Sequence, residues 1–207
     1  MKIQSVTNRR KHLTAVVLED GSELLLDTEL AEYRDLKPGA EIDDPDALLY
    51  ESDFKRAKSR ALWYISRGDH SEKALREKLC HAGFSEAASS AAVLRMIELD
   101  LVNDERYAAR MCESLSASGS SKREIFAKML YRGIPSQIAK ECVFSEDGED
   151  EVEKIKSLLD TKYASKLATE EGVQKVFAAL IRKGFSFSDV KDALRAYNEE
   201  IICEEDI

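Results

Sequence analysis

Apolar positions recur along this chain at helical spacing and stop, three times, on a glycine. In SEKALREKLCHAGFS (71–85), Ala74, Leu75, Leu79 and Ala82 supply the apolar positions. Ser71 is an N-cap and Glu72 occupies the first turn. Gly83 suits the left-handed position that ends a helix, and Phe84 follows as an apolar plug. SKREIFAKMLYRGIP (121–135) repeats the pattern with Ile125, Met129, Gly133 and Ile134. EGVQKVFAALIRKGFS (171–186) repeats it with Val176, Leu180, Gly184 and Phe185. The glycines lie 50 and 51 positions apart. A period near 50 with one shared stop predicts a mainly α fold: three tandem three-helix units in an elongated, curved array.

The flanking segments complete each unit. Asp43-Asp44-Pro45 starts a long helix running to about Arg67, its apolar side built from Leu48, Leu49, Ala57, Ala61, Leu62, Trp63 and Ile65. Ser85 caps the third helix of that unit, with Ala88, Ala91, Ala92, Val93, Ile97 and Leu99 inward. Asn103 or Asp104 caps the next helix, which carries Tyr107, Ala108, Met111, Cys112 and Leu115; residues 116–121 break it. Pro135 opens a short helix with Ile138 and Val143. Acidic residues 145–151 read as a linker. The last unit has a helix from about Val152, the third glycine block, and a helix from Ser188 to about Ile202 with a frayed tail.

Residues 1–43 differ. Stretches 3–7, 12–18 and 23–26 read as strands, with Asp20-Gly21 as a hairpin turn. Asp27 or Thr28 caps a short helix reaching Leu36, and 40–42 reads as a returning strand. This small β-rich module is poor in apolar residues and is expected to pack on the helices or on a partner. The expected organisation is therefore 1–43 for the module and 44–102, 103–147 and 148–207 for the repeats.

Charge and chemistry narrow the function. The chain carries a formal charge of −9 over 207 residues, which weighs against a free-standing DNA binder. No apolar run approaches a membrane span and no secretory run opens the chain. The four cysteines are scattered, as in a reducing cytoplasmic protein. The three histidines share no zinc spacing, and no phosphate loop, dinucleotide fingerprint or nucleophile elbow is present. A non-enzyme with no cofactor and no metal is expected.

Cations on the repeats remain. The first unit offers Lys55, Arg56, Arg60 and Arg67 on or just after its long helix, and Lys73, Arg76 and Lys78 on its second. The second unit offers Lys122, Arg123, Lys128 and Arg132, and the third Lys175, Arg182 and Lys183. They are either a solvated face, with cations favoured near helix ends, or a basic ridge repeated once per unit that touches phosphates or acidic groups of a long partner. Trp63 and Tyr64 are expected in the core, with base stacking as the alternative.

Three segments carry a family likeness. ALWYISRGDHSEKALREKLCHAGF (61–84) resembles the signature that opens the helical repeats of the RecX family, with an extra residue after Arg67. LVNDERYA (101–108) resembles the family's L-x-D-D-x-x-F/Y-A segment, with Asn103 replacing the first acid. GSSKREIFAKMLYRGI (119–134) resembles its second-repeat run, with Met129 nearest the usual leucine and Arg132 replacing lysine. The resemblance implies a cytoplasmic regulator, usually an inhibitor, that lodges in the groove of the RecA–DNA filament; a monomer is expected. It implies the RecA filament as partner, with single- or double-stranded DNA as a further one, and no catalytic residues. The alternatives are a direct nucleic-acid-binding module and a helical scaffold for another protein.

Overall fold

The computed structural model describes residues 1–10, 12–144 and 150–205, with side chains over 1–9, 12–144 and 150–197. The alternating residues near the N-terminus form an antiparallel sheet of β1 (Ile3–Arg10), β2 (Leu13–Leu18) and β3 (Glu23–Asp27), in that spatial order. Val16 lies opposite both Val6 and Leu24, so one row of apolar side chains crosses all three strands. Gly21 takes φ +86 in the β2–β3 turn, the conformation expected there. Residues 40–42 make a single bridge, Lys2 to Glu41, rather than a full strand. The chain comes to Ile3 through the Pro38-Gly39 turn, exchanges bonds with it, and then leaves to start the next helix.

Asp27 ends β3 and caps α1 (Thr28–Tyr33), accepting from the Leu30 N–H at 3.1 Å. Asp44 caps α2 (Pro45–Ile65) through the Ala47 N–H at 2.9 Å. The sheet's inner face, with Ile3, Val16, Leu18, Leu24 and Leu26, closes on Leu30, Ile42 and Leu48. The module thus packs on the first half of α2.

The second half of α2 joins α3 (Glu72–His81) and α4 (Glu86–Glu98) around Ala57, Ala61, Leu75, Leu79, Ala92, Val93 and Met96. Burying a leucine such as Leu75 or Leu79 contributes about 1.5–3 kcal/mol. Three expected core positions are not core: Leu62 is 47% exposed, Trp63 43% and Leu99 48%. The buried face of α2 is set by Ala57 and Ala61, one turn apart. At 100° per residue, Leu62 and Trp63 rotate off it, while Tyr64 and Ile65 swing back to pack against the cluster. Leu99 sits beyond the last turn of α4.

The chain divides into two compact units, Met1–Asn103 and Asp104–Ile207. The second holds α5 (Asp104–Ala117), α6 (Lys122–Tyr131) and α7 (Ser136–Val143), packed around Ala108, Ile125, Met129, Ile134, Ala139 and Val143. It also holds α8 (Glu151–Leu158), α9 (Glu170–Arg182) and α10 (Phe187–Glu205). α8 runs on through a π turn, Leu159–Tyr163, that keeps Ile155, Leu159 and Tyr163 in the last core. The repeat glycines Gly83, Gly133 and Gly184 have φ of +94, +84 and +91, so all three helices end as their sequences dictate. Boundaries are corrected: α5 continues to Ala117 and α10 to Glu205, into the tail expected to fray. α9 starts a turn earlier than its two counterparts, because Thr169 caps it by accepting from the Gly172 N–H at 3.1 Å. Residues 145–149 of the expected linker and the Cys203 side chain lie outside the described residues.

Hydrogen bonds tie the connection between α5 and α6 to repeat three. The Ser121 hydroxyl, wholly buried, accepts from the Glu124 N–H at 3.1 Å and donates to the Lys183 carbonyl at 2.6 Å. Buried Lys154 donates to Ser116 Oγ at 3.1 Å, and the Lys122 N–H to Glu151 at 2.8 Å. Burial raises the Glu124 pKa, but bonds from Lys128 and Ser120 and the charges of Lys128 and Lys183 outweigh it and hold the carboxyl below a glutamate's usual value. Its stabilisation is therefore present above the ordinary value of 4.5 and is lost as pH falls through the depressed one. Glu124→Gln should flatten the acid limb of stability against pH. An unchanged acid limb in urea titrations would refute this.

Candidate interaction surface

The structure sorts the candidate cations by what already holds them. Lys55, on α2, reaches back to Asp27 at 2.6 Å and Glu29 at 2.7 Å. Burial pulls its pKa down, but the two carboxylates more than offset this and keep it above a lysine's usual value. Lys183 donates to the Gly119 carbonyl at 3.3 Å in the junction between repeats two and three. These two serve packing within their own units. Arg56 pairs with Asp53 and lies over Phe84. Arg76 faces Glu86 at 3.5 Å, Lys73 faces Glu77 at 4.0 Å, Lys128 faces Glu124 at 2.8 Å and Lys175 faces Glu171 at 2.7 Å. Arg182 donates to the Ala178 carbonyl within α9, and exposed Arg132 follows α6 directly. Lys122 is half-buried and Arg123 exposed.

Counting back from the helix-ending glycines shows which cations repeat. Lys78 and Lys128 stand five positions before Gly83 and Gly133, and Lys73 and Arg123 stand ten before; before Gly184 these places hold Ala179 and Gln174, so the ridge expected once per unit recurs in the first two repeats but not in the third. Arg76 has no cationic counterpart: Phe126 and Phe177 take its place. The pairing changes with it. In the first repeat Arg76 and Cys80 both meet Glu86, whereas in the third Phe177 meets Phe187 edge-on at 5.2 Å, with Phe187 66% exposed. In the second, Phe126 lies 5.8 Å from exposed Phe144. Sequence reasoning missed this polar-to-aromatic exchange, although the same count from the glycines reveals it.

A further cluster gathers at the end of α2. Trp63 lies under the Arg67 guanidinium at 3.6 Å from its ring centroid, with Arg60 at 5.1 Å. Tyr64 meets Trp63 edge-on at 5.2 Å and His70 at 6.2 Å, with Lys78 at 5.4 Å from its ring. Among the described residues no group of histidine, cysteine and carboxylate side chains could hold a metal, and no helix is long and apolar enough to cross a membrane. Cys112 and Cys142 adjoin on α5 and α7; burial first, then Cys112, pushes the Cys142 thiol up to about 11, so it stays protonated at neutral pH.

Comparisons with known proteins agree with the architecture. The family model "RecX, first three-helix domain" matches residues 57–96, and "RecX, third three-helix domain" matches 149–194. The chain is 32% identical over 198 residues to the regulatory protein RecX of Caldanaerobacter subterraneus subsp. tengcongensis, covering 94% of this chain and 98% of that protein. It is 28% identical to the regulatory protein RecX of Bacillus subtilis, covering 92% and 73% of the two chains. In fold it is similar to a crystal structure of regulatory protein RecX, with a TM-score of 0.62, 22% identity, and coverage of 92% of this chain and 98% of that one. Matching near its whole length, and with its first and third helical repeats both recognised, the chain belongs to the RecX family.

Proposed function

We propose that this protein regulates the RecA recombinase without catalysing a reaction itself, lying along the RecA–DNA filament and inhibiting its DNA-dependent ATPase activity and strand exchange. The observation that carries this reading is the recurrence of Lys73 with Arg123, and of Lys78 with Lys128, on successive three-helix repeats. A partner that itself repeats, as a filament does, can meet matched cations at matched positions. Each pair of cations then meets a protomer or its DNA phosphates and hinders the motion coupled to ATP hydrolysis.

The test titrates the protein into the cognate recombinase on single-stranded DNA and follows ATP hydrolysis. Inhibition is expected, and no change at saturating protein sinks the reading. Lys73→Glu with Arg123→Glu should weaken filament binding on the order of tenfold, because each reversal both removes an attraction and adds a repulsion at an exposed site. Both side chains are exposed, so circular dichroism should be unchanged. Full binding by the folded double variant would reduce the ridge to solvated surface.

A further inference from the structure

We infer that the end of α2 is a stacking platform for an unpaired base of a single-stranded nucleic acid, with Trp63 as its plane. The inference deepens the filament reading by naming an element that would touch the nucleic acid; its plane, Trp63, is not one of the repeated cations, although Lys78 of that ridge borders the adjoining cleft. Trp63 is the chain's only tryptophan, and it stands 43% exposed on a helix whose buried face excludes it. Its ring is not idle: the Arg67 guanidinium lies 3.6 Å from its centroid and Arg60 at 5.1 Å. Bases stack on aromatic rings and equally on guanidinium planes, so this pair can extend its stack by one base, or yield a face to it. An exposed cation–π contact is the weaker of the two interactions, so displacing Arg67 from the ring is affordable and frees it for a phosphate.

The surroundings fit such a ligand. Residues 56–67 hold four cations, Arg56, Lys58, Arg60 and Arg67, and no carboxylate, in a chain that is otherwise acidic. Arg67, two positions past the last residue of α2, is the one of the four placed to offset the helix's negative end beneath the ring. Tyr64 is held against the repeat-one core and fixes the edge-on indole beside it. Tyr64 also walls an open cleft of about 460 Å³ bordered by Lys78 and His81 and by the carboxylate of Glu77, room for the next base beside its sugar. The asymmetry matters too: base-paired DNA presents no free ring face, so the platform selects single strands.

Because Trp63 is the sole tryptophan, its emission reports this site alone. Oligo(dT) and oligo(U) of about 12 nucleotides, added without recombinase, should quench it saturably, while an abasic oligomer of equal charge and a duplex should not. Comparing the two oligomers identifies the preferred sugar. Trp63→Ala should lower single-strand affinity, read by fluorescence anisotropy of a labelled oligomer, by about fivefold or more, and Trp63→Phe should restore part of it. Absent quenching at oligomer concentrations that saturate anisotropy, or equal affinity of Trp63→Ala, overturns the platform. So does absent binding of either oligomer at low salt. The filament reading is tested separately, by recombinase ATPase inhibition with wild-type protein, and survives any of these outcomes.

Discussion

Gly184→Ala should destabilise the second unit by about 2–4 kcal/mol, whereas Gly83→Ala should cost the first unit only about 1–2 kcal/mol. Both glycines occupy the left-handed region, φ +91 and φ +94, so both substitutions carry the same backbone strain. They differ in what a methyl group would meet. At Gly83 nothing lies within 4 Å, but at Gly184 the new Cβ falls 2.7 Å from Ser121 Oγ. That hydroxyl is buried and carries two hydrogen bonds, the cap of α6 and the bond to the Lys183 carbonyl. Displacing it removes a cap and the half-buried Lys183 carbonyl's partner, which adds about 1–2 kcal/mol. Urea titration separates the two cases. Trp63 emission reports the first unit, and far-ultraviolet circular dichroism reports both. At an m-value of about 1–3 kcal/mol/M, the Gly184→Ala transition should move by roughly 1–2 M in dichroism with the Trp63 midpoint in place. Equal shifts for the two variants would show that the Ser121–Lys183 contact carries no stability.

Asp27→Ala should lower the stability of the first unit by about 2–3 kcal/mol, with the Trp63 midpoint as readout. Asp27 lies at the join of sheet and helices. It accepts from the Leu30 N–H as the cap of α1, its carboxylate takes the Lys55 ammonium at 2.6 Å, and its own N–H donates to the buried Ser52 hydroxyl at 2.7 Å. Asp27→Asn separates these roles, since asparagine still caps but cannot pair with a cation. The asparagine variant should therefore recover about 1 kcal/mol. Lys55 is a third exposed, so its ion pair contributes no more than about 1 kcal/mol. The sign against pH follows from its raised pKa. The contribution is full below a lysine's ordinary 10.5 and is lost only as pH rises through the higher folded value. The difference between wild type and Asp27→Asn should thus be flat from pH 6 to 9, as expected for a group so far from titration. A difference that vanishes across that range would assign the stability elsewhere.

Local structure was legible because its causes are local. Ser71, Ser85 and Ser121 cap the helices that follow them, and Gly83, Gly133 and Gly184 end theirs, because a cap and its amide, or a stop and its carbonyl, lie within five residues. The apolar faces of α3, α6 and α9 followed from the same short range, with Leu75, Leu79, Ile125, Met129, Val176 and Leu180 all buried. α9 escaped in one respect. Thr169 and Glu171 are both acceptable starts by composition, and the chain used the earlier one.

The candidate surface was legible as a list of cations but not as a geometry. From sequence, Lys55 and Lys183 are indistinguishable from Lys73 and Arg123. Folding brings Lys55 to a carboxylate 28 positions away and Lys183 to a carbonyl 64 positions away, and so engages both within the fold. Trp63 moved the other way. A tryptophan among leucines on a helix is expected inside, yet the small residues Ala57 and Ala61 define which face of α2 meets its neighbours, and Trp63 is turned outward with its arginines. The sequence by itself determined the helices, their caps and their stops, and the family to which the repeats belong. The tertiary structure alone decided that Lys55 and Lys183 are engaged and that Trp63 faces outward, because a side chain's partner across the fold leaves no periodic trace along the chain.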